Sequence, residues 1–264
     1  KIDPVMTSAP CRVDMGGTLD LAVFYNPLRH LLPCTFNLAI DLRTTVRLLP
    51  HRSGRVKITS RGFEGADYPS DRAPFNHPLG LMFATAAYFE ADGVHVVIES
   101  QSPPRSALGG SSAAAVALTA AFLVAAENVA LTPGVRRRIA LLAHRIEESV
   151  AGVPCGRQDQ LAAAFGGVNA WYWQPEWRGF SFKKSALFRK RYFSTFRRHL
   201  LLAYCGVPHE SNEPTVTMLA YRSWNSNASY PLCRSARVSS WAFSAASARR
   251  LVILPPFRCH WTFF

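Results

Sequence analysis

The sequence predicts an α+β fold, on three observations. An apolar run, Val94–Ile98, leads through a small-residue loop, Pro103–Gly110, into the Ala-rich stretch Ser111–Glu127, which is the order strand, loop, helix. Strand-like and helix-like segments alternate from Val5 to Trp173, with no internal repeat and no obvious linker before residue 177. Turn residues at Pro50–Gly54 join two strand-like runs that are expected to pair as an antiparallel hairpin.

Taken in order, Val5–Asp14, Asn37–Leu49 and Arg55–Ser60 read as strands. Leu79–Glu90 reads as a helix and Val94–Glu99 as the strand that feeds the loop. Thr132-Pro133-Gly134 opens a second long helix, in which Ile139, Leu142, Ile146 and Val150 recur at helical spacing through Ser149. Asp159–Phe165 reads as a short helix, and Gly167–Trp173, Phe180–Phe182 and Leu200–Tyr204 as strands. Lys183–Arg198 interleaves basic residues with Phe188, Tyr192, Phe193 and Phe196, and is expected to be a basic amphipathic helix packed on the protein rather than a nucleic-acid surface.

Composition narrows the function classes. A chain of 264 residues buries a substantial core as one large or two small domains. The longest apolar stretch, Ala113–Ala126, is shorter than the roughly 20 residues of a membrane span. No basic segment followed by an apolar core opens the chain, so no signal peptide is expected, and Lys1 in place of Met points to a trimmed or partial sequence. The six cysteines form no Cys-x-x-Cys pair, which gives zinc or redox chemistry no support; reduced thiols are expected, with Cys155 a small buried packing residue.

Charge is unevenly placed. Residues 1–176 hold 16 Lys/Arg against 15 Asp/Glu, whereas residues 177–264 hold 14 against 2, so nearly all of the net +13 lies in the last third. Beyond Glu213, 51 positions contain no Asp, Glu, Lys or Gly, yet eight Ser, three Trp and six Arg. No amphipathic period or paired turn signal organises them. Such a composition is expected from a GC-rich gene translated in a wrong frame, and residues 214–264 are read as an aberrant tail.

The loop carries the chemistry. Gly109 and Gly110 leave the backbone bare for close approach, while Ser111 and Ser112 offer hydroxyls as helix caps or metal ligands. Backbone N–H groups gathered at a helix N-terminus form a phosphate cradle. The order Pro-Pro-x-Ser-x-Leu-Gly-x-Ser-Ser-Ala over residues 103–113 resembles the ATP-binding motif of the GHMP kinases, and is neither a Gly-x-x-x-x-Gly-Lys-Ser/Thr loop nor a protein-kinase glycine loop. Ala107 stands where that family usually has Gly; if the position requires positive φ, Ala costs on the order of 1 kcal/mol. Ala9–Asp20 resembles the first motif of the sugar-kinase members, and Gly156–Asn169 the segment carrying their catalytic aspartate. Gln158-Asp159-Gln160 with Phe165-Gly166-Gly167-Val168-Asn169 is similar to the branch acting on fucose and on heptose phosphates such as D-glycero-D-manno-heptose 7-phosphate. The resemblance covers roughly residues 7–211.

The resemblance implies a GHMP kinase N-terminal domain over residues 1–176, with a ribosomal-S5-like β-α-β crossover, and the start of a C-terminal α+β domain over 177–213. No glycine follows Gly206, so the third, glycine-rich motif of the family is absent and the second domain is at best a stub. It implies ATP and Mg2+ as cofactors, a sugar or sugar phosphate as the small-molecule partner, no nucleic-acid or membrane partner, and a cytoplasmic location. Pro104, Ser106, Leu108, Gly109, Gly110, Ser111 and Ser112 are the implied ATP-binding residues, and Ser111, Ser112 and Glu147 the metal ligands. Asp159 and Arg12 are the implied catalytic residues, the first facing the acceptor hydroxyl, the second neutralising phosphoryl charge or bracing Asp159. Asp14, Gly17, Thr18 and Asp20, with His209 and Ser211, are the implied substrate contacts. Without the resemblance, Glu147 reads as a solvated helix carboxylate, Asp159 as a helix N-cap, and Arg12 as a surface arginine.

Two other readings compete with a sugar kinase. One is an inactive remnant that binds nucleotide without turnover. The other is a basic nucleic-acid or membrane-surface binder built on residues 177–264, whose mark would be salt-sensitive nucleic-acid binding without ATP binding. The tail yields a prediction of its own. Residues 214–264 should not form an autonomous folded unit, and hydrogen exchange should show far less protection there than in Ser111–Glu127; equal protection would reveal a real domain.

Overall fold

A computed structural model of the protein describes residues 5–15, 19–152, 154–177, 180–204 and 251–254. In chain order the elements are β1 (Val5–Asp14), α1 (Ala22–Tyr25), β2 (Cys34–Pro50), β3 (Arg55–Ser60), β4 (Ala66–Pro69), α2 (Gly80–Tyr88), β5 (Val94–Ser100), α3 (Gly110–Glu127), α4 (Pro133–Ala151), α5 (Gln158–Phe165), β6 (Val168–Trp177), β7 (Phe180–Ala186), α6 (Phe193–Arg198), β8 (Leu201–Tyr204) and β9 (Leu251–Leu254). They fall into two compact units, one of residues 1–13 and 39–166, the other of residues 14–38 and 167–264. The expected substrate residues Gly17, Thr18, His209 and Ser211 lie outside the described residues.

In the first unit the expected β2–β3 hairpin does not form, because β5 lies between the two strands. It runs antiparallel to β2, with Val46 opposite Ile98, and parallel to β3, with Ile58 opposite Val96. The cause is legible in β5, whose apolar Val94–Ile98 suits a strand with neighbours on both edges. The turn after β2 is tied to the start of β5 rather than across itself: His51 N–H donates to the Gly93 carbonyl at 2.7 Å. The parallel β3 and β5, with β4 and α2 between them in sequence, make the expected β-α-β crossover. Val46, Val56, Ile58, Val96 and Ile98 are buried in this sheet.

α3 is the centre of the unit and packs on α2, α4, α5 and β5. Every residue from Ser112 to Leu123 is buried. A helix apolar on all sides belongs in an interior. At 18 residues it is long and apolar enough by composition to cross a membrane, yet 67% of it is buried within the protein. α4 starts where its caps direct: the Thr132 hydroxyl accepts from Val135 N–H at 3.3 Å, Pro133 takes the first turn, and Gly152 ends the helix at φ 66°.

The second unit is organised by the start of β2 and by β6, paired antiparallel with Thr35 opposite Trp171. Trp171 and Trp173 are fully buried, and their indole N–H groups donate to Asn37 Oδ1 at 3.1 Å and Thr35 Oγ1 at 3.0 Å. Burial of so large a ring is favourable when its one polar atom is satisfied. The expected basic amphipathic helix over Lys183–Arg198 is replaced by other structure. β7 runs on to Ala186 because Lys183, Lys184, Ser185 and Ala186 pair with β6. What remains helical is a short turn at Lys190–Tyr192 and the six-residue α6, neither with a buried residue. β8 pairs antiparallel with β9, whose four residues are the described part of 214–264.

The loop that leads into α5 is tethered by a buried histidine. His144 on α4 is 3% exposed, and its Nε2–H donates to the carbonyl of Cys155 at 2.9 Å. Cys155 itself is only partly buried, so its backbone carries the contact and not the packing role expected of its side chain. Cys11, Cys34 and Cys155 are all unbridged. Burial holds the His144 pKa below its ordinary value, with the charges of Arg157 and Arg145 acting in the same direction. The unfolded chain therefore takes up a proton at higher pH than the folded one, and stability is lost as pH falls below about 6.5 toward the folded-state pKa. His144→Gln should flatten that acid limb in urea unfolding measured across pH; an unchanged slope would remove the histidine as its source.

Candidate functional site

The glycine loop is held in a conformation that its residues resist. Ala107 sits at φ 59° and Arg105 at φ 54°, both in the left-handed region, as is Gly109 at φ 69°. The position expected to demand Gly does so, and Ala107 bears a strain of order 1 kcal/mol. Ser106 and Ser102 are buried, with hydroxyl oxygens 3.1 Å apart; Ser102 Oγ donates to the Pro103 carbonyl at 3.1 Å, which leaves Ser106 as donor to Ser102. Leu108 is 2% exposed and fills the core, while Pro104 and Ser111 lie at the surface. α3 starts at Gly110, one residue before the expected Ser111, with Gly109 as N-cap and no side-chain cap. Its first N–H groups therefore have no partner within the helix.

β1 clamps this loop. Arg12 N–H donates to the Leu108 carbonyl at 2.9 Å, and Arg12 Nη1 to the Ala107 carbonyl at 2.7 Å. The same guanidinium donates from Nε to Asp159 Oδ1 and from Nη2 to Asp159 Oδ2, both at 2.8 Å. This is a bidentate, partly buried ion pair, with side chains 14% and 25% exposed. Asp159 is in the first turn of α5 and is not its N-cap, which is Arg157. Arg12 thus braces Asp159, one of the two roles expected of it. Gly109 lies against the pair: a Cβ there would stand 3.3 Å from Arg12 Cγ and 3.5 Å from Asp159 Oδ2.

A second carboxylate stands behind the loop. Glu147, on α4, is partly buried and is no solvated helix carboxylate. Its Oε2 accepts from Ser112 Oγ at 3.0 Å and from Gln160 Nε2 at 2.6 Å. Burial pushes its pKa up, the charge of Asp159 adds to that, and Gln160, Ser112 and Arg12 oppose it. Of the expected metal ligands, Ser112 and Glu147 come together and Ser111 is exposed on the next position. A hydroxyl beside a carboxylate is the hard-oxygen pair that Mg2+ prefers, so these residues fit the ion. No group of three or more His, Cys, Asp or Glu gathers as a metal cage among the described residues.

Asp14 closes β1, and Asp20 is 4% exposed; both belong to the second unit. Gln160 and the Ala107 carbonyl are the participants that sequence reasoning missed. Gln160 stood in the Gln-Asp-Gln segment, but nothing local signals which way a buried amide on a short helix will reach.

Neighbouring loop positions should respond oppositely to substitution. Ala107→Gly relieves a left-handed alanine and should raise the unfolding free energy by up to about 1 kcal/mol. Gly109→Ala creates the same strain and crowds Arg12, and should lower it by about 1 kcal/mol or more. Denaturant midpoints of the two variants test the pair.

Parts of this chain are similar to known proteins. Residues 76–167 match the family described as the GHMP kinases N terminal domain. A galactokinase of Roseiflexus sp. (strain RS-1) is 31% identical over 139 residues, which are 50% of this chain and 34% of that protein. The chain thus spans about a third of that relative's length. Among solved structures, a D-glycero-D-manno-heptose 1-phosphate kinase from Bacteriodes thetaiotaomicron superposes with a TM-score of 0.64 at 21% identity, covering 83% of this chain and 72% of that one. Lactococcus lactis galactokinase complexed with galactose superposes with a TM-score of 0.62 at 16% identity, covering 94% and 58%. The segment that holds the glycine loop, Glu147 and Asp159 matches the GHMP kinases N terminal domain, and the fold is shared with sugar-kinase structures.

Proposed function

We propose that the protein transfers the γ-phosphoryl group of ATP to a hydroxyl of a sugar, with a heptose phosphate as the acceptor class. The observation that carries this reading is Arg12, which joins the glycine loop to Asp159 through Ala107 O and both carboxylate oxygens. One side chain thereby links the phosphate cradle to the group expected at the acceptor. Pro104, Ser106 and the backbone of Leu108 to Ser112 form the nucleotide side, with the open N–H groups at the start of α3 aimed at phosphate oxygens.

On this reading Asp159 accepts a hydrogen bond from the acceptor hydroxyl and orients it for in-line attack. Both of its oxygens are already engaged by Arg12, so orientation counts for more than proton removal. Arg12 keeps that carboxylate in one place and adds positive charge where the phosphoryl group passes. Ser112 and Glu147 would hold Mg2+, which supplies charge neutralisation on the nucleotide phosphates when bound. Asp14, Gly17, Thr18 and Asp20, with His209 and Ser211, are the proposed sugar contacts. Residues 1–176 are the proposed ATP-binding domain, 177–213 the start of the second domain and 214–264 an aberrant tail, in a cytoplasmic enzyme.

Asp159→Asn should leave ATP affinity within about threefold of the parent and cut turnover by at least about 10²-fold, the scale of one positioned catalytic group. A coupled ADP-release assay over a panel of sugars and sugar phosphates, with calorimetry for ATP, measures both. Turnover reduced less than threefold would overturn the role of Asp159.

A further inference from the structure

Gln160 is 2% exposed, and only half of its amide is used. Nε2 donates to Glu147 Oε2 at 2.6 Å and lies 3.4 Å from Ser112 Oγ, whereas Oε1 is buried without a hydrogen-bond partner among the described residues. Leaving a buried amide oxygen unsatisfied is unfavourable, and Leu or Met would fill a similar volume without that penalty. The Nε2 half must therefore supply something that an apolar side chain cannot.

Its surroundings define what that is. The guanidinium of Arg12 is committed to both oxygens of Asp159 and to the Ala107 carbonyl. Glu147 makes no ion pair among the described residues; its donors are two neutral groups, Ser112 from α3 and Gln160 from α5. Both act on Oε2, and Oε1 accepts from neither. A carboxylate gripped through one oxygen from two different helices has its plane fixed and its other oxygen left for an incoming cation.

We infer that Gln160 is a positioning residue for Glu147, holding the carboxylate by Oε2 so that Oε1 is presented to a divalent cation. Because Gln160 follows Asp159 directly on α5, the helix that presents the acceptor-side carboxylate also holds the cation-side one. The cation part of this inference rests on the phosphoryl-transfer reading. It differs from that reading in assigning the preorganisation of the metal ligand to a residue outside the proposed nucleotide and sugar contacts.

The test uses the full chain, ADP and Mn2+, with free Mn2+ followed by electron paramagnetic resonance and ADP binding measured separately in chelator. Gln160→Leu, and Gln160→Met should the first variant fold poorly, are expected to weaken Mn2+ binding to the ADP-saturated protein about tenfold. ADP affinity without divalent ion should change less than twofold. In a Glu147→Gln background, the same Gln160 substitution should weaken Mn2+ less than twofold further, because its route of action is gone. Folded Gln160 variants with parental Mn2+ affinity, or losses that add fully in the double variant, would overturn the role of Gln160. A parent protein that binds neither ADP nor Mn2+ would overturn the phosphoryl-transfer reading itself, and one that binds ADP but not Mn2+ would overturn this inference alone.

Discussion

The first unit is held to its purpose by one guanidinium. Arg12 spends three N–H groups on two partners that are 52 residues apart in sequence, the Ala107 carbonyl and the Asp159 carboxylate. Its own backbone N–H secures Leu108 as well. A strained loop and a short helix are each poor at keeping a single conformation, because few contacts hold them. A planar, bidentate donor fixes orientation as well as distance, which a lysine at the same position would not do. The left-handed conformations at Arg105 and Ala107 persist because this clamp and the core anchor at Leu108 determine the backbone between them.

The same region poses an electrostatic problem that the fold answers unequally. Two carboxylates approach one another, and the cation pairs with only one of them. Asp159 is paired with a guanidinium, whereas Glu147 receives neutral hydrogen bonds, and burial together with the Asp159 charge raises its pKa against them. On the phosphoryl-transfer reading, Glu147 and the uncapped start of α3 together suit a ligand that brings both cation and phosphate.

Much of this was legible in the sequence, and the exceptions have physical causes. The strand–loop–helix order, the capped start of α4, and the grouping of Arg12, Ser112, Glu147 and Asp159 follow from local chemistry and resemblance. The hairpin expected of β2 and β3 does not form, because turn residues at Pro50–Gly54 say only that the chain reverses, not which strand occupies the vacated edge. That edge went to β5, whose Val- and Ile-rich run suits a strand with neighbours on both edges. The basic segment after Phe182 was misread for a related reason. Alternating Lys and Phe suit a helix surface, but pairing with β6 claims Lys183 to Ala186 first, and backbone hydrogen bonds override a weak amphipathic period. Gln160 escaped notice because a buried amide carries no signature until its partners are placed around it.

α3 presents no face to solvent between Ser112 and Leu123. A helix of this kind cannot tilt, slide or rotate without opening voids on every side at once, since close-packed interiors do not deform continuously. Its N-terminus is accordingly a fixed post. The segment from Ser102 to Gly109, which leads into this post, stores backbone strain at Arg105 and Ala107. On the phosphoryl-transfer reading, recognition is divided between a fixed helix end and a tensioned loop, and adaptation to a ligand of different shape would be achieved by altering the loop while leaving the helix untouched.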